Sequence, residues 1–408
     1  MDLKGLYGSN RMWLNGVYQP FFAGKCDFMC FDVGGMNSRI DEKTGALISE
    51  IRSYKMARRL NMACEERLYD DLHCAVHMAF NRQRAVPGFG TMGGPDIGVG
   101  ARVFTPLAEF FREYNDRYLT QTDNVADAAV LRSWPSMAYS IGGTLIPAIL
   151  MEEVLIQHKV PFDIIFDDHL SNIAHYGAVI LAGQESLSKD NVDRLLAYVR
   201  NGGTLIFTGN TAAYNERREK RARNPLLSLL ASDAKRGIAV AAHGKGRLVY
   251  VPQIIPSHRT GSAGDGFEDN PEIEAGKKAK PQRFLPSEWT LPRNHQEIYR
   301  AIADHLPRGL SVRTEAPLTT VMEVLNRPVT RETILHFVNF DQEKPTVPFP
   351  VNLKKQNAAG VKSVTHFSPD VDDAKPLQFK ETPDVVTFTA PATRLYAMVV
   401  VAYSGDQK

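Results

Sequence analysis

Residues 178–209 read AVILAGQESLSKDNVDRLLAYVRNGGTLIFTG, and this stretch decides the fold of the middle of the chain. An apolar run, Ala178 to Ala182, gives way to a polar loop. Val192, Leu195, Leu196 and Val199 then recur at helical spacing on one face. Asn201-Gly202-Gly203 closes that helix, because glycine takes the left-handed conformation in which helices end. A second apolar run, Leu205 to Phe207, leads into Thr208-Gly209. Strand, helix and strand with a crossover of this length put two strands side by side in parallel. The turn after the first strand reads Gly183-Gln184-Glu185-Ser186. It holds no Cys or Ser between close glycines, so it lacks a nucleophile elbow.

The same alternation extends both ways. Ala128–Arg132 and Phe162–Phe166 read as strands, with a helix over Thr144–His158 between them. Downstream, Arg247–Pro252 (RLVYVP) follows Gly244-Lys245-Gly246 as a further strand. Together these predict an open, mostly parallel, doubly wound α/β sheet with helices on both faces. Ligands usually bind such sheets beyond the carboxyl ends of the strands. Residues 257–295 are polar and rich in Gly, Pro and Lys, which predicts a long loop. A helix follows at His295–His305. From Ser311 to Ala402 the pattern changes to short strands: Thr320–Leu325, Thr333–Phe340, Val361–Phe367, Val385–Thr389 and Leu395–Val401. That is an antiparallel sandwich-type domain.

The first 120 residues carry one confident strand, Asp27–Asp32, and helical patterns over Ser49–Leu60, Glu66–Asn81 and Leu107–Tyr118. A glycine-rich loop, Val86–Gly100, interrupts them. One strand cannot make a self-contained α/β domain, so this segment reads as the end of something larger.

Bulk properties narrow the function. At 408 residues the chain should hold two or three domains. A formal net charge of +2 makes no case for nucleic acid, and the basic cluster Arg217–Arg223 (RREKRAR) reads as a solvated face. No run of about 18 apolar residues is present, so no membrane span is predicted. The stretch MDLKGLYGSNRMWLNG has no apolar core of the kind a secretory signal needs. All four cysteines, Cys26, Cys30, Cys64 and Cys74, lie in the first 74 residues. Reduced thiols in a cytoplasmic protein are the simplest reading.

The order of these parts carries a resemblance. The VILAG…LLAYVRNGGTLIFTG pattern, the GKGRLVYVP strand, the terminal β-domain and the stretches Leu72–Arg84 and Phe110–Leu119 (FFREYNDRYL), which look like the last barrel helices, resemble the glycoside hydrolases of the family 42 β-galactosidase type. The resemblance implies a (β/α)8 barrel that carries the chemistry. It implies a middle layer like a class I glutamine amidotransferase domain without its nucleophile, serving trimerisation, and a small C-terminal β-sandwich. On that basis residues 1–122 are a partial TIM-barrel-like segment. Residues 123–308 are the amidotransferase-like layer with the loop 257–295, and 309–408 the β-sandwich. A complete barrel needs about 200–250 residues. Only about 120 precede the middle layer, so the chain is the back part of a longer protein or a short form without a full barrel.

The implied activity is hydrolysis of glycosidic bonds by two carboxyl groups, with no cofactor and no metal. The implied partners are a carbohydrate and copies of the same chain as a trimer. The alternative is a non-catalytic oligomerisation or carbohydrate-binding protein. Asp32 ends the barrel-like strand, where catalytic groups sit. In the resembled family that strand carries the nucleophile, normally Glu; the plain alternative is an Asp capping the next turn. Glu42, Glu65 and Glu66 are available as partners, but the sequence places none of them opposite Asp32. Trp134 could line a sugar site, or pack in a core or interface. His73 and His77 share a helix face in an HCxxH pattern without a third metal ligand, which favours plain packing. Cys26 and Cys30 share a strand face and read as core. Asp167-Asp168-His169 reads as the N-cap of a short helix. Ser136, after Trp134-Pro135, is the one weak candidate for an esterase or amidase nucleophile.

Overall fold

The computed structural model describes residues 28–31, 38–61, 63–66, 70–81, 105–114, 121–139, 141–231, 237–258, 289–355, 359–371 and 373–404. It is a mixed α/β protein with a doubly wound sheet and a two-sheet antiparallel domain.

The front segment begins with strand β1 (Phe28–Phe31). A short hairpin follows, β2 (Arg39–Ile40) and β3 (Leu47–Ile48), then helix α1 (Ile51–Arg59). The chain returns in β4 (Ala63–Glu66), which pairs in parallel with β1. Helices α2 (Asp71–Phe80) and α3 (Thr105–Tyr114) complete the segment. The reading of a single strand, with a helix starting at Glu66, is corrected here. Glu65 and Glu66 gave β4 a helical look, and four residues show no alternation. The strand forms because the α1 crossover brings it beside β1, a partner remote in sequence. Helix α2 starts later, where the Asp70 carboxylate accepts the His73 backbone N–H at 2.8 Å as an N-cap.

After the two-residue strand β5 (Asp123–Asn124) the doubly wound layer begins. Its elements are β6 (Ala128–Leu131), α4 (Trp134–Tyr139), a π-turn (Ile141–Leu145), α5 (Ile146–Gln157) and β7 (Phe162–Ile165). They continue with β8 (Ala178–Leu181), α6 (Lys189–Arg200), β9 (Thr204–Thr208), β10 (Ala239–His243) and β11 (Gly246–Val251). The sheet order is β10-β11-β9-β8-β6-β7. All pairs are parallel except β10 with β11. Every residue of β6, β8 and β9 is buried, as expected for a parallel sheet covered on both faces. The quoted stretch forms β8, α6 and β9 as read, with Val192, Leu195 and Val199 buried on the inner face of α6. The edge strand β10 had no counterpart in the sequence reading. Its inward residues, Ala239 and Ala241, are too small to mark an apolar face.

Helix α7 (His295–Ala303) leads to the antiparallel domain. Its strands are β12 (Val312–Thr314), β13 (Thr320–Arg327), β14 (Glu332–Asn339), β15 (Phe349–Lys354) and β16 (Val361–Phe367). They end with β17 (Lys375–Pro376), β18 (Phe379–Glu381), β19 (Val385–Ala390) and β20 (Tyr396–Tyr403). One sheet runs β12-β15-β19-β18, the other β17-β16-β20-β14-β13-β5. Residues 123–124 thus hydrogen-bond into the sandwich before the chain enters the doubly wound sheet.

The central strands of the larger sheet, β13, β14 and β20, are buried on both faces. Leu335, Phe337, Val399 and Val401 point between the sheets. Ile334, Val338, Met398 and Val400 point the other way, into a core shared with α1, α2, α3 and α5. That core joins all three parts of the chain.

Candidate functional site

Two places can hold chemistry: the carboxyl ends of the front β-pair, and the crevice of the doubly wound sheet. In the first, Phe31 of β1 lies opposite Glu66 of β4, and Cys30 opposite Glu65. The parallel register therefore brings two glutamate positions to the end of the strand neighbouring β1. Asp32 lies outside the described residues. Glu42 sits exposed in the β2–β3 turn.

The second place is the topological switch point, where β6 continues to one side and β8 to the other. The residues just beyond β6, β7 and β8 meet there. Their polar groups bond to one another. The Ser133 backbone N–H donates to Gln184 Oε1 at 2.8 Å, and Gln184 Nε2 donates to the Ala182 carbonyl at 3.0 Å. Ser136 Oγ donates to the Ser186 carbonyl at 2.7 Å and accepts the Ser186 N–H at 2.9 Å. Thr144 Oγ1 donates to the Gly183 carbonyl at 2.8 Å, and the Gly183 N–H donates to Thr208 Oγ1 at 2.9 Å. Ser133, Ser136, Gln184 and Ser186 are fully buried.

Asp167 is the charged group of this cluster. Its Oδ2 accepts the Trp134 N–H at 2.6 Å and the Ser133 hydroxyl at 3.2 Å, and its Oδ1 accepts Asn191 Nδ2 at 2.6 Å. Burial pushes its carboxyl up to about 6, against the pull of these hydrogen bonds. The expectation that the Asp167-Asp168-His169 run caps its own short helix is corrected. The cap position of the 3₁₀ turn Asp167–Asn172 is Phe166, while Asp167 caps α4, a neighbour in space. His169 Nδ1 accepts the Phe166 N–H at 3.1 Å.

Gly183 shows why no nucleophile stands after β8. Its φ is +64°, the left-handed region a nucleophile elbow also uses. A Cβ there would lie 2.3 Å from the Gly143 carbonyl oxygen and 3.0 Å from Pro147 Cβ. The close approach of the π-turn excludes any side chain. Ser136 offers no alternative, since both roles of its hydroxyl are taken by Ser186.

Trp134 opens α4 with its indole stacked on Phe166, centroids 4.3 Å apart and planes 4° from parallel. Only 7% of the residue is exposed, so Phe166 covers one ring face and little of the rest meets solvent. His77 Nδ1 lies 3.3 Å from the Tyr54 hydroxyl, and His73 is buried. Among the described residues no three His, Cys, Asp or Glu side chains are grouped to hold a metal ion. No described helix is long and apolar enough to cross a membrane.

A feature the sequence reading missed is the buried charge on α1. Arg52 pairs with Glu152 at 3.1 Å and Glu153 at 2.5 Å, both on α5, and Arg132 pairs with Glu152 at 2.6 Å. Lys55 and Arg58 share Glu323 of β13 at 2.8 and 2.7 Å. Lys55 Nζ also donates to the Phe162 carbonyl at 2.9 Å. Burial pulls the Lys55 amine down and pushes the Glu153 carboxyl up, each opposed by its partner charge. The signal was present as charges at positions 52, 55 and 58, which fall on one helical face. A charged stripe normally reads as the solvent side. These ion pairs tie the β1–α1–β4 unit to both following domains.

No family model matches the chain, and no curated protein matches it by sequence. Solved structures do match. A β-galactosidase from Rahnella sp. R3 superposes with a TM-score of 0.55 at 12% identity, over 93% of this chain and 61% of that one. Gan42B, a GH42 β-galactosidase, gives 0.48 at 11% identity, over 92% of this chain and 64% of that one. The α-L-fucosidase isoenzyme 2 of Paenibacillus thiaminolyticus gives 0.47 at 15% identity, over 93% and 60%. The likeness to the Rahnella enzyme is one of fold, a glycoside-hydrolase-like fold. The chain spans about three fifths of the length of these three proteins.

Proposed function

We propose that the chain is part of a glycoside hydrolase of β-galactosidase type, cleaving glycosidic bonds with two carboxyl groups. The observation that carries this reading is the shared fold with the Rahnella β-galactosidase over 93% of the chain. The parallel β1–β4 pair supports it, because the carboxyl ends of such strands are where barrel enzymes keep their catalytic groups. The glutamate positions 65 and 66 and Asp32, next after β1, are the acids to test. Retaining chemistry needs two of them about 5 Å apart, one as nucleophile and one as acid and base. On this reading the front segment is the tail of a barrel, and the middle layer is an amidotransferase-like trimerisation domain. Wild-type chain and the variants Asp32→Asn, Glu65→Gln and Glu66→Gln are assayed on a panel of nitrophenyl glycosides. Turnover of β-galactosides, lost by about a thousandfold or more in a variant of a catalytic acid, is the expected result. No turnover of any glycoside in the panel would remove the enzyme reading for this chain.

The second reading is a non-catalytic assembly protein of the same descent. It is favoured by the switch-point crevice, where Gln184, Ser136 and Asp167 are held in internal hydrogen bonds. Light scattering separates the oligomer question from catalysis: a trimer mass is expected under both readings, and a monomer at micromolar concentration would remove the assembly role.

A further inference from the structure

In the switch-point crevice Ser136, Gln184 and Asp167 bond to neighbouring groups of the fold, whereas a second concavity leaves its charged side chains free. It is a half-enclosed hollow of about 470 Å³ where the start of α2, α3 and three loops of the sandwich meet. Asp71 enters from α2, Gln342 from the loop after β14, Asp370 from the loop after β16, and Arg394 from the loop before β20. Leu107 of α3, Pro369 and Leu395 give it an apolar floor. Among the described residues the side chains of Asp71, Gln342 and Arg394 make no hydrogen bond or ion pair. Asp370 accepts only a long 3.4 Å bond from Ser368, through one of its two oxygens. Burial and the neighbouring Asp70 push the Asp71 carboxyl up, with Arg394 opposing.

The volume falls in the range of small-molecule sites, about 300–1,000 Å³. The chemistry selects the kind of molecule. Two carboxylates face one guanidinium, and on the far side of Pro369 a smaller hollow adds Glu109, Glu113 and Asp373. This excess of negative charge disfavours an anion. A neutral polyol needs acceptors for its hydroxyl protons, donors for its hydroxyl oxygens and an apolar surface for its C–H face. The carboxylates, the Arg394 and Gln342 N–H groups, and the Leu107–Pro369–Leu395 floor offer these three together.

We propose that this hollow is an accessory binding site for a neutral mono- or disaccharide, separate from the strand-end acids. The proposal rests on the carbohydrate reading above for its choice of ligand. Its test reads binding instead of turnover, so the two can fail independently. Calorimetric titration of the full chain compares galactose and lactose with galactosamine and galactose 6-sulfate. The expected result is saturable millimolar binding of the neutral sugars, weakened about tenfold in Arg394→Gln and again in Asp370→Asn. Both side chains are exposed, so the fold should tolerate both changes. Absence of saturable binding of either neutral sugar, unchanged affinity in both variants, or tighter binding of the amino or sulfated sugar would each overturn it.

Discussion

The carboxylate of Asp167, at the end of β7, holds the backbone N–H of Trp134 at 2.6 Å and so fixes the start of α4 on the neighbouring strand. The same carboxylate anchors Asn191 near the start of α6. One half-buried acid therefore positions two helices at the switch point. Asp167→Ala should cost roughly 1–3 kcal/mol, the loss expected when buried donors go unsatisfied, measured by urea denaturation.

Asp167 also sets a pH signature. Its folded pKa, about 6, is above the ordinary aspartate value of 3.8. Between those values the folded state binds more protons than the unfolded state. Its contribution is therefore fully present below 3.8 and is lost as pH rises through about 6. Asp167→Asn should remove that segment of the stability–pH curve, and an unchanged curve would contradict the assignment.

The His158–His295 contact works in the opposite direction. His158 Nε2 and His295 Nδ1 are 2.9 Å apart, joining the end of α5 to the start of α7, and His158 stacks on Tyr299. Burial, then His295, pull His158 down to about 4, and burial also lowers His295. A depressed folded pKa means the unfolded state binds more protons between 4 and 6.5. The pair's stability is present above 6.5 and is lost as pH falls towards 4. Melting curves of the wild type and His158→Phe should converge as pH drops through this window.

Glu323 is the shared partner of Lys55 and Arg58 inside the junction of α1 and the sandwich. Glu323→Ala leaves two cations facing a buried gap and should cost about 3–5 kcal/mol. A loss below about 1 kcal/mol in equilibrium unfolding would show that water reaches the pair and that the junction is loose.

Gly183 and Gly209 separate strain from crowding. Both have positive φ, +64° and +52°. A Cβ at 183 strikes backbone at 2.3 Å, whereas one at 209 meets nothing within 4 Å. Gly209→Ala should cost about 1 kcal/mol, the left-handed penalty alone. Gly183→Ala adds overpacking of about 1–3 kcal/mol or more and should be much the less stable of the two by thermal melting.

Most of the doubly wound layer was legible in sequence because its signals are local. The helical face Val192, Leu195, Val199 and the buried strands at 178–181 and 204–208 need only periodicity and glycine punctuation to be read. β4 and β10 were not legible, since Ala63–Glu66 and Ala239–His243 have weak patterns and owe their form to strands beside them. The candidate site was less legible still. Trp134 was visible as an aromatic after a strand, but its stacking on Phe166 depends on β6 and β7 being neighbours.

The sequence by itself determined the alternation of strand and helix, the absence of a nucleophile after Ala182, and the change to antiparallel strands beyond Ser311. Those follow from side-chain period and from glycine's conformational freedom, properties of a few adjacent residues. Only the tertiary structure decided that the charged face of α1 points inward, that Asp167 caps a helix not its own, and that Asp71, Asp370 and Arg394 surround one hollow. Each depends on groups far apart in the chain meeting at hydrogen-bond or ion-pair distance, or around one cavity. Charge read along a sequence cannot say whether water or a partner will satisfy it.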